Sequence, residues 1–91
     1  MARLTQHQIE DIARAVSDPR RFAILKQVAS GSCVSCSSLN EHKKISPATI
    51  SHHMKELEHA GLIQIQREGK FASLIFQRDT WSAYLETLSS L

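Results

Sequence analysis

Ser46, Ala48, Thr49, Ser51, His52, His53 and Lys55 gather hydroxyl, imidazole, methyl and ammonium groups into one short run of the chain. Hydroxyls and imidazoles hydrogen-bond base edges, Ala and the Thr methyl meet a thymine methyl, and Lys reaches phosphate, so the run is equipped to read duplex DNA. Shortly after it, Arg67, Gly69 and Lys70 form a compact basic turn of a kind that fits beside the sugar-phosphate backbone or into the minor groove. Each feature alone also reads as a solvated helix face or an ordinary turn. Their succession favours a joint role. His52 and His53 are adjacent on a helical pattern and point in different directions, which suits DNA contact better than a shared metal ion. His7, His42 and His59 read as surface residues whose spacing indicates no ligand role.

Cys33 and Cys36 form a Cys-x-x-Cys pair, and the chain has no other cysteine. Such a pair supplies at most half of a tetrahedral zinc site, so a His or a second subunit would have to complete it. The pair could instead form a reversible disulfide, because this spacing near a helix start can lower a thiol pKa. The third alternative is a pair of small, packed thiols with no sensing role.

The elements that must position these groups are legible from caps and periodicity. Thr5 and Gln8 make a capping box ahead of Ile9, Ile12, Ala13 and Val16 at helical spacing, which predicts a first helix over about residues 6–17. Asp18 followed by Pro19 starts a second, turning Phe22, Ile24, Leu25 and Val28 inward and stopping near Gly31. Residues 31–38 read as a connection into a short third helix. Ser46 and Pro47 repeat the start signal, and Ile50, Met54, Leu57 and Leu62 give a narrow apolar stripe on a fourth helix that stops at Ala60 and Gly61. The period then changes to two over residues 62–66; after a turn at Arg67 to Lys70, residues 71–76 are again rich in β-formers, which predicts a hairpin. Asp79 or Thr80 caps a last helix with an apolar face of Trp81, Tyr84, Leu85, Leu88 and Leu91. The expected fold class is mainly α with a β-hairpin, about five helices plus a two-stranded wing, in the winged helix-turn-helix layout.

Composition bounds the answer without deciding it. The 91 residues match one domain, 42% of them are hydrophobic, and three Gly and two Pro are too few for a flexible chain. A formal charge of +2 argues only weakly for a nucleic-acid partner. The charge distribution argues more strongly: Lys43, Lys44, Lys55, Arg67 and Lys70 crowd one stretch, partly offset by Glu56, Glu58 and Glu68. No run approaches the roughly 18 apolar residues of a membrane span, and the N-terminal residues do not read as a signal peptide, so a cytoplasmic protein with reduced thiols is expected. There is no Gly-rich phosphate loop, nucleophile elbow or paired-carboxylate arrangement, which excludes an enzyme reading and leaves no expected cofactor.

The segments AVSDPRRFAILKQV and SPATISHHMKELEHAGLIQIQREGK closely resemble the ArsR family of bacterial winged-helix repressors, over roughly residues 10–78. The resemblance implies a homodimer on a palindromic double-stranded operator, released by an effector that is often a metal or metalloid ion. It implies that Ser46, Thr49, Ser51, His52 and His53 face the groove and that the turn at Arg67 to Lys70 lies on the backbone. Two features depart from the family. Where many metal-sensing members carry Cys-Val-Cys, this chain has Ser35, Cys36 and Ser37, and the last helix has no His for the zinc site that other members build there. The effector is therefore not specified.

Two-fold pairing needs an apolar surface. Trp81, Tyr84, Leu85 and Leu88 of the last helix read either as part of the chain's own core or as a subunit interface; joined by Ile9, Ile12 and Val16 of the first, they are expected to form the dimer interface, since so much apolar face would otherwise stay exposed. The alternative function is a winged-helix protein-interaction module that does not bind DNA and recruits a partner through that last helix.

Overall fold

The computed structural model describes residues 3–31, 34–35, 46–69 and 71–91. Their order is α1 (Gln6–Val16), α2 (Pro19–Ser30), β1 (Val34–Ser35), α3 (Pro47–His59), β2 (Ile63–Glu68), β3 (Phe71–Phe76) and α4 (Arg78–Ser89). The short helix expected after Leu39 lies outside the described residues, so α3 is the helix that the periodicity numbered fourth.

Local chemistry sets the helix starts. Thr5 Oγ1 accepts from the Gln8 N–H at 3.1 Å while Gln8 Oε1 accepts from the Thr5 N–H at 2.8 Å, a reciprocal capping box. Asp18 Oδ1 accepts from the N–H groups of Arg20 and Arg21 at 2.9 and 3.0 Å, with Pro19 in the first helical position. The expected cap of the last helix is corrected. It starts at Arg78 after Gln77, without a side-chain cap, and Asp79 falls in its first turn, where a carboxylate favours the helix dipole.

The end of α3 aims the chain into the sheet. Gly61 has φ +79°; its N–H donates to Glu58 O at 2.9 Å and the Leu62 N–H to Leu57 O at 3.0 Å, the paired bonds of a Schellman motif. Leu62 therefore lies beyond the helix and not on its stripe, and both Leu57 and Leu62 are fully buried. At the other end of the hairpin, the Gln77 N–H donates to Leu62 O at 2.8 Å and ties the start of α4 to the entry of β2.

The sheet has three strands, with β3 between β1 and β2 and both pairings antiparallel. The expected two-stranded wing thus gains a third, two-residue strand from a segment that the sequence left as a connection. Its composition of small polar residues carries no alternating pattern long enough to mark a strand. In the hairpin, Ile65 faces Leu74 and Glu68 faces Phe71, so β2 runs on past Arg67 to Glu68 and the turn begins at Gly69. Gly69 supplies φ +60° there.

Ile12, Ile24, Leu25, Val28, Leu57, Leu62, Ile63, Leu74 and Tyr84 fill one core to which every described helix and both long strands contribute. Phe22, expected inward, is instead 38% exposed. Its place one residue off the Ile24–Val28 stripe leaves the ring at the margin of the core.

Candidate DNA-binding surface

α3 divides cleanly into two faces. Ile50, Met54 and Leu57 turn toward the core, while Ala48, Thr49, Ser51, His52 and Lys55 are exposed. Ser46 begins the helix: its Oγ accepts from the Thr49 N–H at 3.2 Å and lies 2.8 Å from Thr49 Oγ1. The exposed hydroxyls therefore stand at a helix N-terminus, where unpaired N–H groups and the helix dipole favour a phosphate.

His53 does not join that face. It is only 6% exposed, and its Nδ1 accepts from Arg21 Nε at 3.4 Å. Loss of water around the ring pushes its pKa below the ordinary value, Asp18 nearby opposes this, and Arg21, His52 and Arg20 add to it. The imidazole is held neutral and inward, which corrects its placement among the groove-facing residues. Helical spacing contained the signal: position 53 is three residues after Ile50 and four before Leu57, on the stripe itself. His52, one position earlier, is exposed, with the two rings 6.1 Å apart.

On the hairpin, Arg67 is exposed near the tip. Lys70, Cys33 and Cys36 lie outside the described residues. Phe71, directly across from Glu68, is 76% exposed. Among the described residues neither Lys55 nor Arg67 is held in an ion pair, so both cations are available to a polyanion.

The residues expected at a dimer interface separate into three sets. Ile12 and Tyr84 belong to the core of the chain itself, which corrects their assignment; Ile9, Val16 and Trp81 are half-buried against that core. Trp81 lies between Phe76 and Tyr84, with ring centroids at 6.5 and 5.8 Å, so its indole serves the fold. Leu85 and Leu88 remain exposed, at 44% and 43%.

Folding also brings together groups that sequence spacing kept apart. Asp11 Oδ2 lies 3.4 Å from His7 Nε2 and 3.7 Å from His59 Nε2, while Oδ1 accepts from Arg14 Nη1 at 3.2 Å. This links α1 to the last turn of α3. Among the described residues no group of three or more His, Cys, Asp or Glu side chains is arranged to hold a metal ion, and no helix is long and apolar enough to cross a membrane.

Comparison with known proteins agrees with this architecture. The model of a helix-turn-helix domain matches residues 16–66, more than half of the chain. An uncharacterised HTH-type transcriptional regulator of Methanocaldococcus jannaschii is 39% identical over 75 residues, covering 81% of this chain and 72% of that protein. The arsenical resistance operon repressor of Staphylococcus xylosus is 33% identical over 66 residues, covering 72% of this chain and 62% of that one. Among solved structures, the homodimeric winged helix-turn-helix DNA-binding domain of a Mycobacterium bovis protein superposes with a TM-score of 0.72 at 20% identity, over 99% of this chain and 89% of that one. The Methanocaldococcus jannaschii and Staphylococcus xylosus relatives are regulators of transcription, and the chain belongs to the ArsR family of winged helix-turn-helix transcriptional regulators.

Proposed function

We propose that this chain is a repressor that binds a palindromic operator as a homodimer, with α3 in the major groove and the hairpin tip against the sugar-phosphate backbone. The observation that carries the reading is the composition of the exposed face of α3: Thr49, Ser51 and His52 offer base-edge donors and acceptors, Ala48 offers a methyl contact and Lys55 a phosphate contact. Ser46, at the helix start, Arg67, near the hairpin tip, and Lys70 complete the set, the latter two against the phosphates. Exposed Leu85 and Leu88 on α4 support the pairing of two copies, as does the homodimeric state of the Mycobacterium bovis relative. Two-fold symmetry would set the two α3 helices at half-sites about 34 Å apart, one turn of DNA.

Release from DNA is assigned in this reading to Cys33 and Cys36, the thiols whose oxidation to a disulfide, or joint capture of a thiophilic ion, would constrain the chain between them.

The test is selection of duplexes from a random-sequence pool, followed by binding of the enriched duplex to reduced and to oxidised protein. A palindromic consensus with half-sites about one turn apart is the expected result. Failure to enrich any sequence contradicts the operator-binding role. Equal binding by the reduced and oxidised forms removes redox release at the thiols while leaving that role intact.

A further inference from the structure

Arg21 joins three helices. It is the third residue of α2, where its backbone N–H is tied to Asp18. Its guanidinium turns back across the fold: Nη1 reaches the carbonyl of Arg14 in the last turn of α1 at 3.5 Å, and Nε reaches His53 Nδ1 in the middle of α3 at 3.4 Å. Both bonds are long, so neither contributes much energy singly. Their value is directional, because a planar guanidinium presents its donors in a fixed fork.

The bond to His53 specifies the state of the imidazole. Arginine has only donors, so Nδ1 must be bare and the ring proton must sit on Nε2. Burial of His53 favours that neutral form, and the charged or titratable groups facing the ring are Asp18, Arg20 and Arg21 from the start of α2 and His52 from α3 itself. A protonated His53 would lose the acceptor and set a second cation against Arg21.

Rotation of α3 is the quantity at stake. A side-chain tip lies about 5–6 Å from the helix axis, so a roll of about 20° displaces it by about 2 Å, enough to break a hydrogen bond to a base edge. The apolar contacts of Ile50, Met54 and Leu57 are non-directional and tolerate such a roll more readily than a fixed hydrogen bond does.

We propose that His53 is a positioning residue for DNA recognition: by accepting Arg21 on Nδ1 it fixes the rotation of α3 against α1 and α2, and so decides which α3 side chains meet the bases. This rests on the reading that α3 enters the groove. It separates His53 from His52, which contacts DNA itself in that reading.

The experiment is a double-mutant cycle read as the ratio of affinity for the selected duplex to that for a scrambled duplex of equal length. His53→Leu and Arg21→Ala are each expected to lower the ratio about tenfold, and the double variant to fall no further than the weaker-binding single one. His53→Asn, whose amide oxygen stands close to the position of Nδ1, should stay within about threefold of the parent. Nitrogen-15 spectra of the DNA-free protein should show His53 with a bare Nδ1 and a protonated Nε2. Additive losses, no effect of Arg21→Ala, an Asn variant as poor as the Leu variant, or the opposite tautomer would each overturn the assignment. If no duplex is enriched, the groove-reading role fails and this one with it. That case is told apart by the tautomer and by coupling of the two residues in thermal unfolding, which report the contact without DNA.

Discussion

The Ser46 and Thr49 hydroxyls lie 2.8 Å apart at the start of α3, and Ser46 Oγ also accepts the Thr49 N–H. Two groups that the sequence offers to DNA are thus first engaged with each other and with the helix backbone. Ser46 therefore acts on recognition chiefly through the helix that it starts.

Ser46→Ala should cost about 1 kcal/mol of stability, the usual effect of losing an N-cap, whereas Ser46→Asn should be nearly neutral. Urea unfolding checks the first effect. Affinity for selected and scrambled duplexes should fall in parallel in the Ala variant, since cap loss frays the helix without removing a base contact.

His52 and Lys55 should separate by the kind of contact that they make. His52→Ala should lose about 1–3 kcal/mol on the selected duplex and little on a scrambled one, with unchanged unfolding because the side chain is exposed. Lys55→Ala should weaken both duplexes alike and reduce the dependence of log K on log salt by about one unit. Anisotropy titrations at several salt concentrations read both effects.

Much of this arrangement was legible in the residues, and the exceptions have specific causes. Capping boxes and cap-proline pairs act within three or four residues, so the starts of α1, α2 and α3 could be read directly. The start of α4 could not, because Gln77 makes no side-chain cap and the turn is instead held by a backbone bond to Leu62 across the hairpin. The exposed face of α3 follows from its apolar stripe, yet His53 lies on that stripe, and its residue type points to the exposed face where its position points to the core. Ile12 and Tyr84 show the same limit: an apolar stripe tells that a face is covered, not whether the cover is the same chain or another. The Arg21–His53 and Asp11–His59 contacts join residues far apart in sequence, and only the packing of α1, α2 and α3 creates them.

The apolar residues of α4 and of the core should respond oppositely to substitution. Replacing Leu85 and Leu88 together by Glu should leave the fold intact and yield monomers by sedimentation, with the melting temperature lowered only by the loss of pairing. Leu57→Ala removes a fully buried side chain and should cost about 2–5 kcal/mol. Retention of the dimer by the Glu variant would exclude α4 as the interface.

Acid should destabilise the fold in two windows. The pKa of His53 is pushed below its ordinary value of 6.5, chiefly by burial, so the unfolded chain takes up a proton before the folded one does. Its contribution is intact above that value and is lost as pH falls through the lowered folded-state pKa. Asp18 is likewise lowered from its ordinary 3.8, first by the backbone hydrogen bond from Arg21, and its contribution disappears only at more acid pH, as its carboxylate protonates. Urea unfolding between pH 7.5 and pH 5.5 should show the first loss in the parent and a flatter profile in His53→Asn.

The central claim, that the exposed face of α3 reads sequence, is tested most directly by affinity for the selected duplex and its scrambled counterpart at one physiological salt concentration. The account predicts that the selected duplex binds at least about a thousandfold more tightly, with two chains per duplex. Equal affinity for the two duplexes, or no binding to either at low salt, would contradict it.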